Sequence, residues 1–210
     1  MLNGIEVLCH SSIRFDKGEV IYFDPFKIEE NYKDADVIFI THDHYDHYSE
    51  KDIDKVVNND TIIVAPEDLL TKLLKKGFEK ENIVLVTPNE SYTVKGLEFQ
   101  TIPAYNTNKQ FHPKANEWVG YLIKIEGITY YIAGDTDITE ENRNVKCDVA
   151  FVPVGGTFTM DYREAAKLIN EIKPKIAVPT HYGSIVGDKE DGVRFANLIE
   201  RDVEVEILMK

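Results

Sequence analysis

Residues 36–48 read Asp36-Val-Ile-Phe-Ile40-Thr41-His42-Asp43-His44-Tyr45-Asp46-His47-Tyr48. An apolar, β-branched run predicts a buried strand, and it empties into three histidines and two aspartates within the six positions 42–47. That density suits neither an apolar core nor an ordinary solvated loop. Imidazole and carboxylate are the ligands that borderline divalent metals favour. Side chains alternate along an extended exit, so His42 and His44 point the same way, while Asp46 and His47 follow around a turn toward a second point. Ions in two-metal hydrolases sit about 3.5–4 Å apart, so near neighbours in sequence can serve different ions. The segment therefore predicts a bound metal, and more specifically a pair of metals used for hydrolysis.

Two other stretches repeat this placement. In Tyr130-Tyr-Ile-Ala-Gly-Asp135-Thr-Asp137 a strand-like run ends at Gly134, leaving Asp135 where a carboxylate can bridge two cations. In Ile176-Ala-Val-Pro-Thr-His181-Tyr-Gly183 another apolar run ends on a histidine. Alone, Gly-Asp is a common turn and a single histidine a common buried residue. Three strand ends carrying donor side chains make ligands the better reading.

The bulk properties exclude more than they specify. The chain has 210 residues, 43% of them hydrophobic, enough for one domain (1–210) with a sizeable core. A formal net charge of −13 argues against a nucleic-acid partner or an anionic membrane surface. No apolar run approaches the ~20 residues of a membrane span, and Met1-Leu-Asn-Gly-Ile-Glu-Val7 reads as no secretory signal. Two cysteines, Cys9 and Cys147, outside any C-x-x-C pair, fit a reducing cytoplasm. The expected partner is a small-molecule substrate, and the oligomeric state is left open.

Strands are expected at 5–9, 20–23, 37–40, 61–65, 83–86, 91–94, 97–102, 118–125, 128–133, 149–153, 176–180 and 203–208. Helices are expected at 49–57, with Ser49 as N-cap, 66–75, with Pro66 in the first turn, 161–172, capped by Asp161, and 188–200. Gly127 signals a hairpin. No linker or repeat is evident, and two packed sheets with helices outside would accommodate the pattern.

The T-H-x-H-x-D-H motif at 41–47, G-D-T-D at 134–137 and P-T-H-Y-G at 179–183 resemble the metallo-β-lactamase superfamily. His10-Ser11, Asp24-Pro25-Phe26 and Pro153-Val-Gly-Gly-Thr157 with Met160 are similar to the branch containing sugar-phosphate lactonases and the phospholipase D that cleaves N-acylethanolamine phospholipids. The resemblance covers nearly the whole chain. It implies an α+β fold, a four-layer αββα sandwich of two mixed sheets. It also implies His42 and His44 at one metal, Asp46, His47 and His181 at the other, and Asp135 bridging. The ions would be one or two divalent metals, zinc foremost, with Mn, Fe or Ni as alternatives.

The chain departs from that pattern at one place. Relatives carry a histidine after the seventh expected strand, where this chain has Pro103-Ala-Tyr-Asn106. An amide oxygen is a poorer zinc ligand than imidazole. Three options follow: a weakened first site with Asn106 nearby, a site completed by His112, or a single metal at the second site. The first is preferred. His10 is expected as a substrate or outer contact rather than a ligand. Tyr45, Tyr48 and Tyr182 flank the ligands. Lys109 and Lys114 read as solvated loop residues.

The ligand set implies a metal-activated hydroxide attacking a carbonyl or phosphorus centre, with Asp46 also orienting the nucleophile. The 45 positions between Asp135 and His181 leave no room for a nuclease insertion, and the reading expects neither an appended helical domain nor a fused flavin domain. The expectation is a small cytoplasmic hydrolase of esters, lactones or phosphodiesters. The alternative is a non-catalytic metal-binding or ligand-sensing module that kept the fold, a reading Asn106 keeps alive.

Overall fold

The expected strand at the head of the histidine segment forms as β4 (Ala35–Phe39), buried along nearly its whole length. In a computed structural model describing residues 1–209, it lies inside a six-stranded sheet of order β1-β2-β3-β4-β5-β6. The other strands of that sheet are β1 (Ile5–Cys9), β2 (Ser12–Lys17), β3 (Glu19–Phe23), β5 (Val57–Pro66) and β6 (Ile83–Val86), with β3 and β5 flanking β4. β1 to β3 form an antiparallel meander, and β3 to β6 run parallel. The seven-stranded second sheet repeats the scheme. β7 (Ser91–Val94), β8 (Leu97–Pro103), β9 (Val119–Ile125) and β10 (Ile128–Ile132) are antiparallel, and β11 (Val149–Pro153), β12 (Ile176–Thr180) and β13 (Glu204–Val205) continue in parallel. The β9–β10 hairpin turns on Glu126 (φ 51°) and Gly127 (φ 77°), consecutive left-handed residues that match the twist of the flanking strands.

Between the sheets lies an aromatic core. Phe39 meets Phe99 and Tyr121 edge-on at 5.0 Å each, and Phe15 meets Tyr130 at 5.0 Å. Outside the first sheet, α1 (Glu50–Val56) and α2 (Leu70–Lys76) cover Tyr22, Ile38 and Ile63. Outside the second, α3 (Tyr162–Ile172) and α4 (Asp191–Ala196) cover Tyr131, Ala150 and Val152. The fold is the expected α+β sandwich in four layers. Asp161 caps α3 as a capping box: its carboxylate accepts from the Arg163 and Glu164 amides, and Glu164 accepts from Asp161 N.

Several expectations need correction. β2 was not anticipated, because its charged Arg14, Asp16 and Lys17 blur the alternation. Pro66 ends β5, and α2 begins only at Leu70 after a short 3₁₀ turn. Ser49 precedes α1, but its hydroxyl donates to Asp52 (2.6 Å) rather than accepting from the helix. The last helix is six residues long, and the last strand two. Among the described residues, no helix is long and apolar enough to cross a membrane.

Candidate metal centre

All six histidines of the chain, His10, His42, His44, His47, His112 and His181, meet at one end of the two sheets. They arrive from the turn after β1, the exit of β4, the loop after β8 and the end of β12; Asp135 follows β10. These are mostly carboxyl ends of strands, the edge at which open α/β sheets place ligands.

Local backbone builds the first cluster. After Phe39 the chain leaves the strand, and His47 N and Tyr48 N both donate back to His44 O, folding 44–48 into a turn. His42 Nε2 and His44 Nδ1 come within 3.0 Å. His112 joins them, within the span a single ion could bridge. Asn106 stands behind it. Its side-chain oxygen accepts from His112 N (2.9 Å) and lies 3.2 Å from His112 Nδ1, while its amide donates to Phe158 O. The Asn106 amide is therefore spent on holding the 106–112 loop closed, and the histidine six residues on points its Nε2 at Asp135 (3.3 Å). Where the preferred expectation has a weakened first site with Asn106 nearby, the structure sets Asn106 behind His112, and it is His112 that groups with His42 and His44. The helix-free loop offers no strand-end signal for His112.

The second cluster joins Asp46, His47 and His181 with His10. From Asp46 Oδ2 the Nε2 atoms of His10, His47 and His181 lie at 3.2, 3.7 and 3.7 Å. Asp135 stands between the clusters: Oδ1 is 3.3 Å from His47 Nε2, and Oδ2 is 3.0 Å from His181 and 3.9 Å from His42.

Burial tests whether a cation belongs here. His47 Nε2, His112 Nε2, His181 Nε2 and Asp135 Oδ1 are buried without a hydrogen-bond partner among the described residues. Each such group costs about 1–3 kcal/mol when left unpaired. Their convergence on common points fits coordination. Burial holds the His42 imidazole well below its usual pKa, and His44 below it too, which keeps both in the neutral ligand form. Burial likewise works against protonated His47, but Asp135 and Asp24 outweigh it and raise that imidazole. His181 is raised against burial by Asp135. Burial would raise Asp135 and Asp46, yet the surrounding imidazoles hold both carboxyls ionised. With no cation, the ionised Asp46 and Asp135 are balanced by protons held on His47 and His181, which a bound cation would displace.

Supporting residues outside the sequence-level set fix the ligands. Asp24 Oδ2 lies 2.7 Å from His47 Nδ1 and accepts from the Thr41 hydroxyl at 2.7 Å; its Oδ1 accepts from Thr41 N at 2.8 Å. Metal-bound imidazoles normally place their second nitrogen on such a carboxylate. Trp118 packs its ring 4.9 Å from both His42 and His44 and donates to Asp68. Three site residues, His10 (φ 59°), Asp24 (φ 45°) and His181 (φ 57°), hold left-handed backbone, a strain that accumulates at functional sites. Lys109 is no solvated lysine: it pairs with buried Asp137 (2.6 Å) and ties down the loop carrying His112. Lys114 pairs with Glu141.

Residues 4–181 match the family model of the Beta-lactamase superfamily domain. The chain belongs to the metallo-β-lactamase superfamily. A metal-dependent hydrolase of Thermococcus kodakarensis is 30% identical over 217 residues, 97% of this chain and 95% of the relative. One from Pyrococcus horikoshii is 30% identical with the same coverage. A solved structure from Parabacteroides distasonis, assigned as a candidate metal-dependent hydrolase, superposes with a TM-score of 0.82 at 30% identity, covering 98% of this chain and 93% of the other. A metallo hydrolase from Ignicoccus hospitalis, 21% identical with a TM-score of 0.79, shares the fold. Within the superfamily the chain is one of these metal-dependent hydrolases.

Proposed function

We propose that this protein hydrolyses a small ester, lactone or phosphodiester in the cytoplasm, using two divalent ions, zinc foremost. The observation that carries the reading is the pair of donor clusters sharing Asp135. His42, His44 and His112 would hold one ion, and Asp46, His47 and His181 the other, with Asp135 between them. When bound, such ions supply Lewis-acid polarisation of the substrate and a hydroxide nucleophile at neutral pH.

The protein's own part is positioning. Asp46 reaches the second cluster through Oδ2, and its role in orienting the nucleophile would fall to the rest of that carboxylate. Thr41 and Asp24 fix the His42 and His47 rings. Half-buried His44 and largely exposed Tyr45 leave the site open to solvent beside Phe26, whose ring meets Tyr45 edge-on at 6.2 Å. An open face of this kind supports access by substrate rather than a sealed structural ion. Both cysteines are free, which agrees with a reducing compartment.

Metal analysis of purified protein, with a panel of chromogenic lactone, thioester and phosphodiester substrates under Zn, Mn, Ni and Fe, tests this. Close to two ions per chain and turnover abolished by His42→Ala are expected. One ion per chain would overturn the two-ion centre; inactivity across all metals, with His42→Ala indistinguishable from wild type, would overturn the hydrolase in favour of a binding module.

A further inference from the structure

His10 is the buried histidine that the proposed ligand set leaves unused. It sits in the turn between β1 and β2 and is fully buried. Neither ring nitrogen has a hydrogen-bond partner among the described residues. Its backbone is left-handed, and its carbonyl accepts from His181 N at 3.0 Å, which locks the two turns together. The imidazole lies 3.8 Å, centroid to centroid, from that of His181. Its Nε2 is 3.2 Å from Asp46 Oδ2.

These spacings match a coordination shell. Donors about 2.1 Å from a common ion stand roughly 3.4 Å apart in a tetrahedron and about 3 Å apart at cis positions of an octahedron. The 3.2 Å between His10 Nε2 and Asp46 Oδ2 falls in that range, the two 3.7 Å separations from His47 and His181 exceed it by only a few tenths of an ångström, and all four donors lie within 4.8 Å of one another.

Resting on the two-ion reading above, we propose that His10 Nε2 is a fourth terminal donor to the second position and that the two positions are therefore unlike. The second then has His10, Asp46, His47 and His181 with a share of Asp135, five protein donors that nearly close its sphere. The first has three histidines and its share of Asp135, and keeps a coordination position open. A closed, higher-coordinate position suits an ion at ease with five or six ligands, such as Fe(II) or Mn(II). The more open position suits tetrahedral Zn(II) and is where the substrate oxygen would be engaged. The centre would be asymmetric in affinity and in metal preference, with the second position filling first.

Cobalt(II) alone is the probe, added to metal-free full-length chain and followed by visible absorption and metal counting. In wild type, the first equivalent is expected to give the weak bands of a five- or six-coordinate ion, and the second the stronger bands of a near-tetrahedral one. His10→Gln should weaken the first equivalent by about 100-fold, the upper end of what loss of a mere supporting partner costs, and strengthen its bands. Unchanged affinity and spectrum in that variant would overturn the proposal. A second measurement does not need the variant. Histidine-labelled, cobalt-loaded wild type should show large contact shifts for all six rings; five shifted rings, with His10 unshifted, would also overturn it. Failure of the wild type to bind any cobalt would instead defeat the underlying function. Two bound ions and normal turnover with an unaltered His10→Gln would defeat this inference alone.

Discussion

Asp24 and His47 form a close contact behind the candidate metal centre, Oδ2 to Nδ1 at 2.7 Å, with both residues buried. The carboxylate fixes the ring so that Nε2 faces the second position, and Thr41 holds the carboxylate in turn. Asp24→Asn keeps the shape and loses the charge. Metal affinity at the second position should fall roughly 10–100-fold, as for other supporting carboxylates. Dialysis against a graded chelator series, with the residual metal counted, checks this.

His112 and Asn106 should separate cleanly. His112→Ala removes a donor, so metal content should drop from about two to about one per chain. Asn106→Ala removes only the support for that ring and loop and should lower affinity by roughly 10-fold, with both ions recovered at excess metal. If Asn106→Ala were the more damaging for stoichiometry, the assignment of these two residues would be reversed.

A backbone approach protects His181. A Cβ at Gly155 would lie 2.1 Å from His181 O, which no rotamer change relieves. Gly155→Ala should therefore destabilise the fold by about 1–3 kcal/mol, as overpacking does, and should also reduce metal retention. Denaturant unfolding together with metal analysis measures both.

Burial, with Asp148 as a nearby negative charge, pushes the Cys147 thiol up to about 12. The folded state holds this proton more tightly than the unfolded chain, whose thiol titrates near the ordinary value of 9. The resulting stability is fully present below pH 9 and is lost as pH rises toward 12. Thiol alkylation of Cys147 at pH 8 should be much slower in the native protein than in urea, and Cys147→Ser should flatten the stability decline across that alkaline window.

Much of the architecture was legible because its signals are local. β4, β9, β10, β11 and β12 are apolar runs with clear stops, and α3 announces itself through Asp161 and Glu164. β2 was hidden because Arg14 reaches Tyr22 and Asp34, a partnership made across the sheet and invisible along the chain. At the site, His42, His44, Asp46, His47, Asp135 and His181 follow strands, and the fold brings them together. His112 and the role of Asn106 were obscured because their relation depends on a closed loop, where sequence spacing says little about direction. His10 sits in a two-residue turn whose left-handed backbone aims the ring inward. Only the fold shows that all six histidines of this acidic chain of 210 residues gather in one place.

The donors are divided between the two sheets. His10 and residues 42–47 hang from the first, whereas His112, Asp135 and His181 hang from the second. Tyr121, donating to Ile40 O at 2.6 Å, is among the few direct polar ties across that seam near the site. Bound cations would thus rivet two half-molecules together, and their binding energy would add to the stability of the whole. Starving a cell of the ion would leave a protein that gapes at this edge and falls to proteases sooner, so its abundance as well as its turnover would track metal supply.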